Sequence, residues 1–305
     1  MRDRISIHYI CVFLLGFVLF TSCDESFEPM QENDKYFFSI FGYLDVAADT
    51  QWVRITPARE QLNAPAEVPE MEVILENLNR GETVTMKDSL FASGSGFNYI
   101  NFYTLAGIEP GQSYRVQAKN ADGNLSTVTL STPDEFPTPR LLKDTSFWTD
   151  EHIYQIVING ADKLVDVQTW WFIRIESADG VEFKKFTFSY RDRLEWVETY
   201  GGAHVVEFIF EQEQAEIMDS PTIRLAPNAE VEFLHQQVYV AAAGPEWNEQ
   251  IPSLEDLEYS QLELVSNVDN GLGYMVGVYS KVIPYETCED ETGWLIACEE
   301  EEPFW

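Results

Sequence analysis

The 305-residue chain reads as an all-β protein made of two β-sandwich domains in tandem. Three observations point there. Apolar and polar residues alternate with a period of two along most of the chain. Asn, Asp and Gly stand between neighbouring runs, where hairpins need residues that tolerate positive φ or bond their own backbone. No long stretch carries the i, i+3, i+4 spacing of an amphipathic helix. Apolar residues make up 45% and aromatics 14%, enough to build a core in spite of the charge. Strands packed this closely suggest sandwiches of the immunoglobulin or fibronectin kind.

Residues 1–22 read differently from the rest. Arg2 and Arg4 precede twelve apolar residues at 9–20, then Thr21-Ser22-Cys23. Twelve is short for a membrane span, which takes about 20 residues, and suits the apolar stretch of an export signal. An apolar run, two small residues and a Cys resemble the lipobox of bacterial lipoproteins, with Phe20 where such boxes prefer Leu. The resemblance implies that the Cys23 thiol takes a diacylglycerol, that cleavage exposes its amine, and that the amine is acylated in turn. Several acyl chains hold a protein where one would leave it in exchange, at about 0.8 kcal/mol per buried CH₂. Asp24, Glu25 and Glu28 open an acidic tether at 23–34. Such a stretch is similar to the signal that sends Bacteroidota lipoproteins to the outer face of the outer membrane.

The N-terminal sandwich is placed at 35–132. Tyr36, Phe38, Ile40 and Leu44 share one strand face, and Val53 and Ile55 alternate with Arg54 and Thr56. Met71, Val73 and Leu75 lead into an Asn77–Gly81 turn; Tyr114, Val116 and Ala118 lead into another at Asn120–Gly123. Residues 133–140 hold Pro133, Pro137 and Pro139, which disfavour helix and central strand alike, so a linker is expected there. The C-terminal sandwich is placed at 141–285. Its strands are expected near 153–158, 165–175, 181–190, 205–210, 231–240 and 274–283, with a short helix within 247–259. Trp170-Trp171-Phe172-Ile173, apolar on both faces, marks a buried central strand. An acidic tail of irregular structure is expected at 286–305.

Taken together, several stretches resemble one family. They are the lipobox Cys with its acidic follow-on, Gly42-Tyr43-Leu44-Asp45, Gly111-Gln112-Ser113-Tyr114-Arg115-Val116, Asp122-Gly123, Ser131-Thr132-Pro133, Tyr239-Val240-Ala241 and Trp247-Asn248. The most specific is Ser266-Asn267-Val268-Asp269-Asn270-Gly271-Leu272-Gly273-Tyr274. The pattern is similar to the Bacteroidota outer-membrane lipoproteins grouped as domain-of-unknown-function family 4249, from Cys23 to about Tyr285. That resemblance implies surface exposure, anchoring in outer-membrane lipid through N-terminal acyl chains, and a role beside a TonB-dependent β-barrel receptor in nutrient uptake. It brings no catalytic residues.

Composition narrows the function classes further. Asp plus Glu total 52 against 19 Lys plus Arg, a formal charge of −33 and a pI near 4.2. Nucleic-acid binding needs clustered cations to neutralise phosphates, and a polybasic hold on anionic lipid needs the same. Neither fits. Cys11 leaves with the signal and Cys23 is lipidated, so Cys288 and Cys298 remain. In an oxidising compartment that pair favours a disulfide, with free thiols as the alternative. A metal site is disfavoured by the wide spacing and the lack of a nearby His.

Catalytic constellations are poor. The mature chain holds only His152, His204 and His235, and Ser93-Gly94-Ser95-Gly96 reads as a turn, with no nucleophile elbow elsewhere. Glu207 with Glu211, or Glu255 with Asp256, could mimic a carboxylate dyad, but spacing does not separate them from solvated surface. Asp269-Asn270-Gly271 and Asp179-Gly180 resemble fragments of calcium loops without completing one. Trp170, Trp171 and Trp196 read as core, whereas Trp247, after Gly244-Pro245, is the better candidate for an exposed ring that could stack on a sugar. Gly271 and Gly273 suit a tight loop needing positive φ, or the close approach of another backbone. The expectation is a non-enzymatic binding or accessory module without cofactor or metal. A structural or adhesive surface protein is the alternative, and a hydrolase ranks last.

Overall fold

The computed structural model describes residues 36–57, 70–92, 98–144, 153–178, 180–193, 195–197, 203–224, 229–249, 251, 265–285, 287–289 and 295–297. The first half holds β1 (Phe38–Asp45), β2 (Gln51–Pro57), β3 (Met71–Asn77), β4 (Glu82–Thr85), β5 (Lys87–Ala92), β6 (Asn98–Thr104), β7 (Ser113–Asn120) and β8 (Leu125–Ser131). The second holds β9 (Arg140–Asp144), β10 (Ile153–Asn159), β11 (Leu164–Ser177), β12 (Gly180–Ser189), β13 (Glu195–Val197), β14 (Ala203–Ile209), β15 (Glu230–Ala243), β16 (Val268–Asp269) and β17 (Gly271–Tyr285). A small hairpin, β18 (Thr287–Glu289) with β19 (Leu295–Ala297), follows. Helices α1 (Phe210–Asp219) and α2 (Pro221–Arg224) and a 3-10 turn at Arg191–Arg193 interrupt the strands.

The chain is all-β with two sandwiches, as its alternation predicts. In the first, the sheet β16-β8-β7-β3-β4 packs on β1, β2 and β6, and Ile40, Val53, Ile55, Val116 and Leu130 are fully buried between them. In the second, the sheet β13-β14-β10-β9 packs on β11 and β15 around Tyr154, Ile156, Trp171, Ile173 and Val240. Burial follows the sequence period. In β7 Tyr114, Val116 and Ala118 point inward while Arg115 and Gln117 are only half-buried.

The two sandwiches are joined more closely than a tandem arrangement would have it. One eight-stranded sheet, ordered β12-β11-β15-β17-β1-β2-β6-β5, runs through both. β17 makes the join. Its first half pairs in parallel with β1, from Phe38↔Gly271 to Asp45↔Val278, and its second half pairs antiparallel with β15. A strand late in the chain thus completes the first sandwich, and Met275 packs in its core. The proline-rich segment at 133–140 is likewise packed rather than a free spacer. Phe136 is fully buried in the second core, its ring edge-on to Tyr279, and Lys281 Nζ donates to its carbonyl at 2.6 Å. The prolines keep the segment out of the ladder without keeping it out of the core.

The Ser266–Tyr274 stretch is where the chain changes sheets. β16 pairs with β8 through Val268↔Val128, Asn270 turns at φ 52°, and Gly271 enters the other sheet. Ser126 Oγ and the Phe37 amide both donate to the Asn270 carbonyl, at 2.6 and 3.0 Å. Asn267 closes the bend from both sides. Its Nδ2 donates to the Met275 carbonyl at 2.7 Å, and its Oδ1 accepts from the Met275 amide at 3.0 Å. Gly271 and Gly273 lie in a strand, not in a loop. Gly273 has φ +121°, and a Cβ there would sit 2.0 Å from the Ile40 carbonyl oxygen. Close approach of another backbone is therefore part of the requirement. At the far end of β1, the buried Asp45 carboxylate accepts from the Ser280 amide and hydroxyl at 3.1 and 2.6 Å.

Candidate functional sites

Most residues singled out by sequence are dispersed. Cys23, His152, Asp179, Glu255, Asp256 and Cys298 lie outside the described residues. Cys288 sits in β18 opposite Ile296, so the expected bridge to Cys298 also falls outside them. Glu207 is exposed on β14 and accepts from Gln155 Nε2 at 2.7 Å, while Glu211 belongs to α1. His204 is half-buried, and burial holds its imidazole below the usual histidine range against the opposing pull of its hydrogen bond to the Ala161 backbone. His235 stacks on Phe172, centroids 4.4 Å apart. Asp269 is an exposed residue of β16. Among the described residues no three His, Cys, Asp or Glu side chains gather closely enough to hold a metal.

The tryptophans sort differently from the sequence reading. Trp171 is core, as expected. Trp247, the better candidate for an exposed ring, is 5% exposed. It packs with Ile251 and Val265 on Tyr274 and Val276, covering the middle of the second face of the eight-stranded sheet. Trp170 looks out on that face, stacked on Tyr239 at 5.0 Å and covered by Lys185 Nζ at 3.6 Å. The side chain of Trp196 lies outside the described set. Trp52, not singled out by sequence, is 41% exposed.

Two arrangements stand out. The first is a buried carboxyl. α1 turns Phe210, Glu213, Gln214 and Ile217 inward at helical spacing, so an otherwise apolar stripe carries an acid. Both oxygens of Glu213 are fully engaged. One accepts from the Thr169 and Tyr190 hydroxyls, the other from Trp171 Nε1 at 2.6 Å and Gln236 Nε2 at 3.1 Å. All four donors are neutral. Burial pushes the Glu213 carboxyl above the usual carboxylate range, and the four hydrogen bonds pull the other way. Burial and the adjacent carboxyl push the Tyr190 hydroxyl up strongly. A half-open cleft of about 440 Å³ lies over this group, with Tyr190, Arg193, Glu207, Gln212 and Glu216 on its walls. The arrangement can hold a proton in the core.

The second is a ring cluster on the outer face of the eight-stranded sheet. Alternation in β2 buries Gln51, Val53 and Ile55 and turns Trp52 out. Trp52 pairs with Tyr103 of β6, centroids 5.0 Å apart at 33°, and meets Phe91 of β5 edge-on at 5.6 Å. Tyr43 of β1 lies beside Trp52, because Gly42 pairs with Val53. Tyr43 and Phe91 are 40% and 45% exposed. The next rung is polar: Arg54 faces Asn101, which faces Ser89, and Arg54 Nε donates to Asn101 Oδ1 at 3.5 Å.

No family model and no curated protein matches the chain. Among solved structures, it is similar over 67% of its length to the chicken CNTN1 FN1-FN3 domains, at 12% identity and a TM-score of 0.27. That match spans 57% of the chicken chain. It is also similar over 67% of its length to bovine butyrophilin, covering 91% of that chain at 12% identity and a TM-score of 0.19. The sandwich assignment rests on the sheets themselves.

Proposed function

We propose that the chain is a lipid-anchored protein on the outer face of a bacterial outer membrane, a non-enzymatic accessory or binding module for a TonB-dependent nutrient transporter. The observation that carries this reading is the order Arg2, Arg4, twelve apolar residues, Thr21-Ser22-Cys23 and Asp24-Glu25. An export signal followed by a modifiable thiol accounts for the whole run; an uncleaved signal anchor would leave the Cys incidental. The folded body suits the role, since a sheet shared by two sandwiches holds their outer surfaces in fixed relation. Replacing Cys23→Ala should abolish palmitate labelling and leave an unprocessed precursor. A mutant that still takes the label would overturn the anchor. Tagged protein purified from outer membranes should bring down a TonB-dependent receptor, identified by mass spectrometry. A surface-exposed protein with no receptor attached would favour a structural or adhesive role instead.

Export also sets the redox state of the tail. We expect Cys288 and Cys298 to be bridged, closing a short loop worth roughly 2–3 kcal/mol at most. Non-reducing peptide mapping of the exported protein should find one linked pair. Two alkylated thiols would refute the bridge.

A further inference from the structure

We infer that the ring cluster on β1, β2, β6 and β5 binds a free, neutral polysaccharide chain. Three features carry the assignment. The first is the rings themselves. Trp52, Phe91 and Tyr43 are each at least 40% exposed on a sheet face whose neighbouring segments bury comparable side chains. A pyranose presents a flat C–H face that matches an aromatic ring in size and polarity, and indole is the largest such ring. The second is the adjacent polar rung. The Arg54 guanidinium and the Asn101 amide are planar groups with paired donors, and Ser89 adds a hydroxyl. Vicinal hydroxyls at the rim of a stacked sugar would meet them. A lipid tail would have no use for that rung. The third is charge. The protein carries −33, so a second copy or an acidic partner meets repulsion at long range. Among the described residues of these four strands, the charged side chains on this face that are not buried are Arg54 and, opposite Tyr103, Lys87, which offer a cationic ligand no carboxylate. A neutral ligand escapes both penalties.

The spacing sets the ligand's size. Four neighbouring strands span about 14 Å at the usual inter-strand distance. Rings at Tyr43, Trp52 and Tyr103 follow one another across the strands, so several consecutive sugar units would be held, in a chain lying across the strand direction. This deepens the binding-module reading and rests on it only for the outward placement of the surface. The protein alone tests it, so failure to find a receptor and failure to bind glycan are separate results.

The test is affinity electrophoresis of the full-length protein in native detergent gels cast with soluble starch, mixed-linkage β-glucan, galactomannan or arabinoxylan. Alginate, polygalacturonate and purified lipopolysaccharide serve as comparators. Retardation by at least one neutral polymer is expected. Trp52→Ala should weaken it about tenfold or more, Trp52→Phe and Asn101→Ala less, and Trp170→Ala, on the covered part of the same face, little. Matching thermal melts would show that the variants fold. The assignment is overturned if no neutral polymer retards the protein, if only the anionic polymers or lipopolysaccharide do, or if Trp52→Ala migrates like the parent. Concentration-dependent dimers abolished by Trp52→Ala would assign the rings to self-association and overturn it as well.

Discussion

Replacing Gly273→Ala is expected to cost about 3 kcal/mol or more of stability, because two penalties fall on one atom. The backbone φ of +121° is one that L side chains rarely adopt, and the added methyl would lie 2.0 Å from the Ile40 carbonyl oxygen. No rotamer change relieves the clash, since the obstructing atom is backbone and belongs to the β1 partner of the parallel pair. Gly81→Ala is the matched control. Gly81 also has positive φ, +70°, but nothing lies within 4 Å of the added carbon. It should cost only about 1 kcal/mol. Urea unfolding followed by tryptophan fluorescence reads both. Equal losses would mean that close packing of β17 on β1 contributes nothing beyond the turn geometry.

Glu213→Ala is expected to be comparably damaging, at about 3 kcal/mol or more, because each stranded buried donor costs about 1–3 kcal/mol. Four donors would be stranded in the second core. Glu213→Gln should cost about 1–2 kcal/mol, since only part of the network is lost. Its amide oxygen keeps two of the donors. Gln236, whose Oε1 makes no hydrogen bond, can turn its amide over to accept from the new nitrogen, leaving the Trp171 N–H unpaired. The pH dependence has a definite sign. Burial raises the folded carboxyl above its unfolded value, so this group's stabilisation is complete below the ordinary glutamate range. It is lost as pH rises through the folded value. Melting temperatures of the parent and Glu213→Gln, measured between pH 4 and 8, should converge as pH rises. A gap that widens with pH would show a carboxyl stabilised as the anion.

Local features were legible because their causes are local. Alternation placed Val53 and Ile55 inside, and the Asn and Gly residues marked the β3–β4 and β7–β8 turns. The parallel pairing of β1 with β17 left no such trace. Asp45 and Ser280 are 235 residues apart, and nothing near either names the other. α1 was missed because Phe210, Glu213, Gln214 and Ile217 carry polar residues on the inward stripe, which blurs the helical period. Glu213 was one acid among the chain's 52 acidic residues, and only its place within that stripe distinguishes it. Trp52 was more readable than the choice of Trp247. The alternation that buries Val53 must turn its neighbour out. Trp247 sits in turn-like sequence, yet the sheet's second face is apolar there and draws the ring down onto Tyr274 and Val276.

The place of β17 also bears on when the protein can fold. The first sandwich needs a strand, β17 from Gly271, that emerges from the ribosome only about 140 residues after β8 ends at Ser131, so neither its core nor its main sheet can close early in synthesis. Such long-range pairing makes folding slow, because the whole intervening chain must be looped before the contact stabilises anything. On the export route proposed above the chain would cross a membrane unfolded, and this delay would be protective: what is threaded through first has nothing to fold onto until β17 has followed.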